Sequence, residues 1–191
     1  MTTAVEYIDT VRQQQRAARH TVSLTLGVHG LALAGLAVAN SRFEWHHNVV
    51  TLLLPCAVYL SLWLVVRLRR RFTGIGAGRD GFGVMAVVSL LLVVFFPFGA
   101  MAVMFAGPGA FLGLGLAVIG ARQSAPRLWG PAIALLALSP LVSLYTLDNH
   151  VSFLGPQPGT VVLAVLAVAL LTLAGASYRG ERAALRSSPL L

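Results

Sequence analysis

The sequence predicts an all-α, polytopic transmembrane helical bundle of about six spans, with both termini in the cytoplasm. Only 10% of the residues are charged and 57% are hydrophobic, whereas a soluble domain carries roughly 25% charged residues because its surface faces water. The charges are clustered, and the apolar runs between the clusters have the roughly 20 residues that cross a bilayer. The basic clusters also fall on one side of the membrane when these runs are threaded in order.

The apolar runs define the predicted spans. The first covers residues 21–39 and the second covers 49–66. Residues 81–121 contain no charged side chain, which is too long for one span and predicts a two-helix hairpin. The fifth span covers 128–147 and the sixth covers 160–178. Six crossings return the chain to the side on which it began.

The turn of the central hairpin has two candidate positions, at residues 97–100 and at residues 106–109. We favour the first, because the second leaves a fourth helix too short to cross the bilayer. Gly107, Pro108 and Gly109 then form a break inside the fourth helix. The alternative is a re-entrant segment at this position, since unwound backbone at membrane depth lines a cavity.

The distribution of arginine tests this topology independently. All 14 basic residues are arginine, and an N-in topology leaves only Arg42 outside. Positive residues concentrate on the cytoplasmic side of membrane proteins, so the pattern supports six spans. The cytoplasmic residues are Arg12, Arg16, Arg19, Arg67, Arg69, Arg70, Arg71, Arg79, Arg122, Arg127, Arg179, Arg182 and Arg186. Abundant arginine without lysine also suggests a bacterial chain, and hence the bacterial inner membrane.

Three segments make up the predicted organisation. Residues 1–19 form an amphipathic segment on the cytoplasmic face of the bilayer, with a frayed polar tail as the alternative. Residues 20–178 form the transmembrane domain, and residues 179–191 form a basic cytoplasmic tail.

Four arginines at the end of the second span are the predicted contacts to anionic lipid headgroups or to an acidic partner surface. They are Arg67, Arg69, Arg70 and Arg71. The following loop contains a formal G-x-G-x-x-G match at residues 76–81. It follows a transmembrane helix, whereas the nucleotide-binding motif follows a strand, so we interpret it as a hinge. No basic stripe with interleaved aromatics is present, which argues against nucleic acid as a partner.

His29 is the one ionisable residue near the middle of a predicted span. Such residues are costly in the membrane and are often functional. A hydrogen bond to a neighbouring helix is the favoured role; binding of a metal or haem, or proton transfer, is the alternative. No carboxylate lies within a span, which argues against a proton relay or an intramembrane aspartyl protease.

A second group of polar residues lies in the predicted outer loops. Its members are Glu44, His46, His47, Asp148 and His150. Imidazole and carboxylate groups could bind Zn²⁺ or Cu²⁺ if the loops converge. A hydrated polar cap is the favoured interpretation, so no metal is assigned and no cofactor is predicted.

Glycines predict where helices approach closely. Gly109 and Gly113 mark a small face on the fourth span, and Gly30 and Gly35 mark one on the first. Such faces allow backbones to come together, either within the chain or against another subunit.

These observations predict a non-enzymatic membrane subunit of a larger bacterial assembly, and we expect that assembly to be a transport complex. The amphipathic lead-in, the six spans and the two cytoplasmic ends are similar in outline to bacterial ABC export permeases. That resemblance, which is one of topology, implies other membrane subunits and a separate ATPase chain, since the chain has no G-x-x-x-x-G-K-[ST] motif. The alternatives are a stand-alone carrier or channel for an apolar substrate, and a membrane-bound metal or haem protein.

Overall fold

A computed structural model describes residues 20–42, 49–73 and 81–186. Every regular element in these ranges is a helix, and they contain no strand. Single turns of 3₁₀ helix at Pro126–Leu128 and Ser152–Leu154 lie between the longer elements. The helices are α1 (Thr21–Arg42), α2 (Val49–Thr73), α3 (Phe82–Val94), α4 (Phe96–Ala106), α5 (Pro108–Gln123), α6 (Trp129–Ser143), α7 (Thr146–His150) and α8 (Pro158–Arg186). The amphipathic segment predicted for residues 1–19 lies outside the described residues.

Three helices, α1, α2 and α8, are long and apolar enough to cross a membrane. The consecutive pair α3 and α4 makes a fourth candidate if its two parts form one bent span. The described residues are therefore helical and contain three to four candidate membrane spans. The last of them, α8, runs on to Arg186, so much of the basic segment predicted as a tail is helical.

The central elements are shorter than the sequence predicts. The 16 residues of α5 and the 15 of α6 give lengths of roughly 24 and 22 Å at 1.5 Å per residue, below the roughly 30 Å of a hydrocarbon core. The predicted fifth span breaks early because Tyr145, with φ 55°, leaves the helical conformation. The predicted hairpin contains three helices rather than two, and the count of six spans is not established by helix length.

A sharp bend of 109° separates α3 from α4. It falls at Phe95, with φ −88° and ψ 54°, two residues before Pro97. Proline has no N–H to donate, and its ring clashes with the carbonyl four residues earlier. Gly99 folds so closely against the carbonyl of Leu92 that a β-carbon there would collide with it. Proline and glycine together therefore make the bend, beside the favoured turn position.

The first and last helices pack against each other in antiparallel fashion. His20 contacts Glu181 at one end of the pair, and Asn40 donates a hydrogen bond of 2.7 Å to Thr160 at the other. Between them, a β-carbon on Gly30 would lie 2.9 Å from the Leu171 side chain. The start of α1 and the end of α8 therefore share one end of the bundle.

Other helix ends that carry arginine meet at this same end. A β-carbon at Gly81, just before α3, would lie 3.2 Å from the side chain of Arg122 at the end of α5. Likewise, one at Gly180 on α8 would lie 3.8 Å from Arg127, just before α6. We call this end the basic end. It also holds the end of α2, because Trp63 packs near Gly83 at the start of α3.

Large apolar side chains cover both the inside and the outside of the bundle. Leu33, Leu112 and Leu116 are completely buried in the core. Phe98 is 75% exposed and Val165 is 62% exposed. Because a soluble protein rarely exposes such contiguous apolar surface, the exterior is suited to lipid, in agreement with the candidate spans.

Candidate functional site: a cavity beside a broken helix

A cavity of about 310 Å³ lies between five helices at the end of the bundle opposite the basic end. Its walls come from α1, α2, α5, α6 and α8. Most of the lining is apolar, including Leu36, Leu54, Val142 and Leu163, and none of the lining side chains that the structure describes is charged. The polar groups are those of Asn40, Thr51, Ser139 and Ser143. The site therefore suits a mostly apolar molecule that has few hydrogen-bonding groups.

The backbone is broken at the wall of this cavity. Gly107 separates α4 from α5 with φ 77° and ψ 154°, a conformation that side-chain-bearing residues rarely adopt. Pro108 and Gly109, the first two residues of α5, line the cavity. The break stands where the sequence suggested an unwound segment. Irregular backbone at membrane depth is tolerated where it lines a cavity or is buried in protein.

Two serines of α6 stand beside this break. The Ser143 hydroxyl donates a hydrogen bond of 2.6 Å to the carbonyl of Met104 and so ties α6 to the last turn of α4. Ser139 is 5% exposed and has no hydrogen bond to any residue within the described ranges. Its hydroxyl would lie 2.9 Å from a β-carbon on Gly109. The free hydroxyl of Ser139 thus lies at the amino end of α5. No property of Ser139 in the sequence distinguishes it from the other serines.

His29 is fully buried and contacts two partners. Its Nδ1 lies 2.8 Å from the carbonyl of Thr25, and its Nε2 lies 3.2 Å from the Tyr59 hydroxyl. A carbonyl can only accept, so Nδ1 carries the proton and Nε2 of the neutral ring is an acceptor. The Tyr59 hydroxyl has one proton to donate, and the carbonyls of Phe111 and Leu112, at 3.1 and 2.9 Å from its oxygen, compete with Nε2 for that proton. The geometry is that of a hydrogen-bonded tie between α1, α2 and α5.

Gly115 makes room for this tie. A β-carbon on Gly115 would overlap the hydroxyl of Tyr59, so the tyrosine reaches the α5 backbone because glycine occupies this position. The sequence indicated His29 as an interhelical hydrogen-bonding residue, but neither Tyr59 nor Gly115 was distinguishable. The signal that could have found Tyr59 is the presence of a phenol within an otherwise apolar run.

Only two members of the predicted outer polar group, Asp148 and His150, lie among the described residues. Glu44, His46 and His47 lie outside the described residues. Asp148 accepts a hydrogen bond of 2.8 Å from the Gly159 N–H at the start of α8. His150 lies 3.0 Å from the carbonyl of Thr146 within its own helix. Across residues 20–42, 49–73 and 81–186, no three His, Cys, Asp or Glu side chains are grouped to hold a metal ion.

The arginines at the end of α2 lie on the surface of the basic end. Arg67 places its guanidinium 4.9 Å from the centre of the Trp63 ring, within the range of a cation–π contact. Arg69 and Arg71 are exposed and Arg70 is half-buried; Arg69 and Arg70 also make further interactions. An arginine beside a tryptophan at the end of an apolar helix matches the membrane–water interface.

The four predicted packing glycines occupy different surroundings. A β-carbon on Gly113 would lie 2.9 Å from the Ala132 carbonyl oxygen of α6, and Gly109 packs on Ser139. Gly30 packs on α8 against Leu171. Gly35 differs, because nothing lies within 4 Å of a β-carbon placed there. It lines the cavity rather than a helix contact.

Comparisons with known proteins identify no relative of the chain. No family model matches the sequence, and no curated protein or solved structure is similar enough to count as a match. The cavity, with its broken helix and its few hydroxyl groups, is therefore the feature that carries the most functional information.

Proposed function

We propose that this chain is a non-enzymatic, multi-pass protein of the bacterial inner membrane that binds an apolar small molecule between its helices, as a carrier does. The observation that carries the proposal is the cavity of about 310 Å³, whose described lining residues are uncharged. Small-molecule sites in proteins measure roughly 300–1,000 Å³ and are mostly apolar with a few placed polar groups. An uncharged lining favours an uncharged or weakly polar ligand over a metabolite that carries phosphates.

The proposal includes six crossings with both termini in the cytoplasm. The start of α1, the end of α8 and the arginine-bearing ends of α2 and α5 share the basic end, which supports an even number of crossings. Because positive residues concentrate on the cytoplasmic side, the basic end faces the cytoplasm and the cavity faces outward. The short helices α3, α5 and α6 cross where the bilayer thins around them.

The orientation is testable with single cysteines. Cys56 is the only cysteine, so a Cys56→Ala background carries Asn149→Cys, at the end with the cavity, or Arg186→Cys, at the basic end. Both positions are exposed. A membrane-impermeant maleimide added to spheroplasts should label the first variant and label the second only after lysis. Labelling of Arg186→Cys in intact spheroplasts would contradict the cytoplasmic position of the basic end.

Ligand binding is testable by filling the cavity. Gly35 lines the cavity and Gly175, on α8, does not, yet neither has a neighbour within 4 Å of an added β-carbon. Native mass spectrometry of the wild-type chain, extracted gently from its own membrane, should show a bound apolar molecule. Gly35→Leu should lose that mass and Gly175→Leu should keep it. A wild-type chain without bound mass, or equal loss from both variants, would reject the cavity as a ligand site.

The second candidate function is the one predicted from the sequence, in which the chain is a subunit of a transport complex. The exposed arginines at the end of α2, among them Arg67 and Arg71, favour it, because they offer a basic surface to an acidic partner as well as to anionic lipid. The same mass spectra separate the two candidates. Co-release with other membrane chains or an ATPase supports the subunit, and release of the chain alone with a bound apolar mass supports the carrier.

A further inference from the structure

We infer that the cavity binds the carbonyl oxygen of a fatty-acyl chain through the Ser139 hydroxyl and the N–H of Gly109. This inference rests on the proposed function, since it names the chemistry of the ligand in the same cavity. It is carried by two hydrogen-bond donors that meet at the broken helix and have no partner among the residues that the structure describes.

The first donor belongs to the amino end of α5. The first N–H groups of a helix have no carbonyl within the helix to bond. Here Pro108 has no N–H, and the N–H of Ala110 donates to Gly107 at 3.2 Å. Gly107 provides no capping side chain. The N–H of Gly109, between these two residues, therefore has no partner within the part of the chain that the structure describes. Gly109 lies at the wall of the cavity.

The second donor is the hydroxyl of Ser139. Serines in membrane helices usually donate to a carbonyl of the preceding turn, as Ser89 does to Ala86 at 3.0 Å. Ser139 makes no such bond to the described residues, although it is 5% exposed. It lines the cavity beside Gly109. A ligand oxygen between these two donors would give the Ser139 hydroxyl the hydrogen bond that the described residues do not provide.

The two donors select the chemistry of the ligand atom. An N–H can only donate, and the positive end of the α5 dipole favours an oxygen that carries negative charge or partial charge. Among the residues whose side chains the structure describes, no arginine lines the cavity, so a phosphate would lack a charged partner from them. A carboxylic acid or ester oxygen fits both requirements.

The apolar lining selects the remainder of the ligand. Leu36, Leu54 and Leu163 face the same cavity from three different helices. A hydrocarbon chain is the apolar group that a bilayer supplies in quantity. The ligand is therefore an acyl chain, from either a free fatty acid or an ester lipid, with its carbonyl at the break in the helix.

The experiment measures the binding of tritiated palmitate, methyl palmitate and hexadecane to the full chain in detergent micelles, with binding to empty micelles subtracted. The wild type should bind palmitate or methyl palmitate about five- to tenfold more tightly than hexadecane, the effect of roughly one net hydrogen bond. A preference for palmitate identifies free fatty acids as the source, and a preference for the methyl ester identifies ester lipids.

The matched variants are Ser139→Ala and Ser89→Ala, both of which shorten a buried serine on a helix. Ser139→Ala should lower the affinity for the carbonyl ligand toward that for hexadecane and leave hexadecane binding unchanged, whereas Ser89→Ala should change neither. The inference would be overturned, and the proposed function would stand, if hexadecane bound as tightly as the carbonyl ligands or if Ser139→Ala left the affinity for the carbonyl ligands unchanged. Absence of binding by all three probes would overturn the proposed function as well.

Discussion

Replacing Gly113 by alanine tests how closely α5 packs on α6. A β-carbon at Gly113 would lie 2.9 Å from the Ala132 carbonyl oxygen, 2.9 Å from the Leu135 β-carbon and 3.1 Å from the Leu136 nitrogen. β-Carbons essentially never come within 3.0 Å of such atoms. Two of the three neighbours are backbone atoms, so no rotamer change removes the clash and α6 has to move.

The free-energy change follows from two opposing effects. Forcing an extra methyl group into a packed core costs about 1–3 kcal/mol, and contacts with backbone put this site in the upper half of that range. Alanine has a better helix propensity than glycine, by up to about 1 kcal/mol. The net expectation for Gly113→Ala is a loss of roughly 1–2 kcal/mol in the free energy of unfolding.

Gly35→Ala provides the control, because it adds the same methyl group where nothing lies within 4 Å. This variant gains helix propensity without a clash and should be as stable as the wild type or slightly more stable. The assay is equilibrium unfolding by sodium dodecyl sulfate in mixed micelles, followed by circular dichroism. If Gly113→Ala unfolds at the same detergent fraction as Gly35→Ala, the close contact between α5 and α6 does not exist as described.

Two further pairs of substitutions test other contacts. His29→Leu and Tyr59→Phe, made singly and together, form a double-mutant cycle on the free energy of unfolding. Because the two residues share one hydrogen bond, we expect a coupling free energy of about 0.5–1.5 kcal/mol. If the losses of the two single variants simply add, the hydrogen bond between them contributes nothing to stability. Asp148→Ala should destabilise the protein by about 0.5–2 kcal/mol, because it removes the acceptor for the Gly159 N–H at the start of α8. His150→Ala loses one exposed hydrogen bond within its own helix and should lower the melting temperature less than Asp148→Ala does. A larger decrease for His150→Ala would contradict the capping role of Asp148.

The longest helices were predictable from the sequence because each is a single apolar run between charged ends. The predicted first span at 21–39 lies within α1, and the predicted last span at 160–178 lies within α8. The central region was less predictable. Residues 81–121 contain no charge to mark a boundary, and the bend before Pro97 depends on how Gly99 packs against Leu92.

The candidate site was predictable only in part. Gly107, Pro108 and Gly109 indicated a break, because proline and glycine disrupt a helix through their own covalent structure. The cavity beside them was not predictable, since it arises where five helices fail to fill the space between them. Ser139 stands out there because it has no hydrogen-bond partner among the described residues, and that depends on neighbours far away in the sequence.

The pairing of α1 with α8 has a consequence for the biogenesis of the protein. The ribosome completes Arg42, the last residue of α1, well before Arg186, the last residue of α8. At 5–20 residues per second, the delay is roughly 7 to 30 seconds. During that time the face of α1 that will pack on Leu171 is open to lipid or to insertion factors. A nascent chain that stalls before α8 therefore presents a first helix without the partner on which it packs in the folded protein.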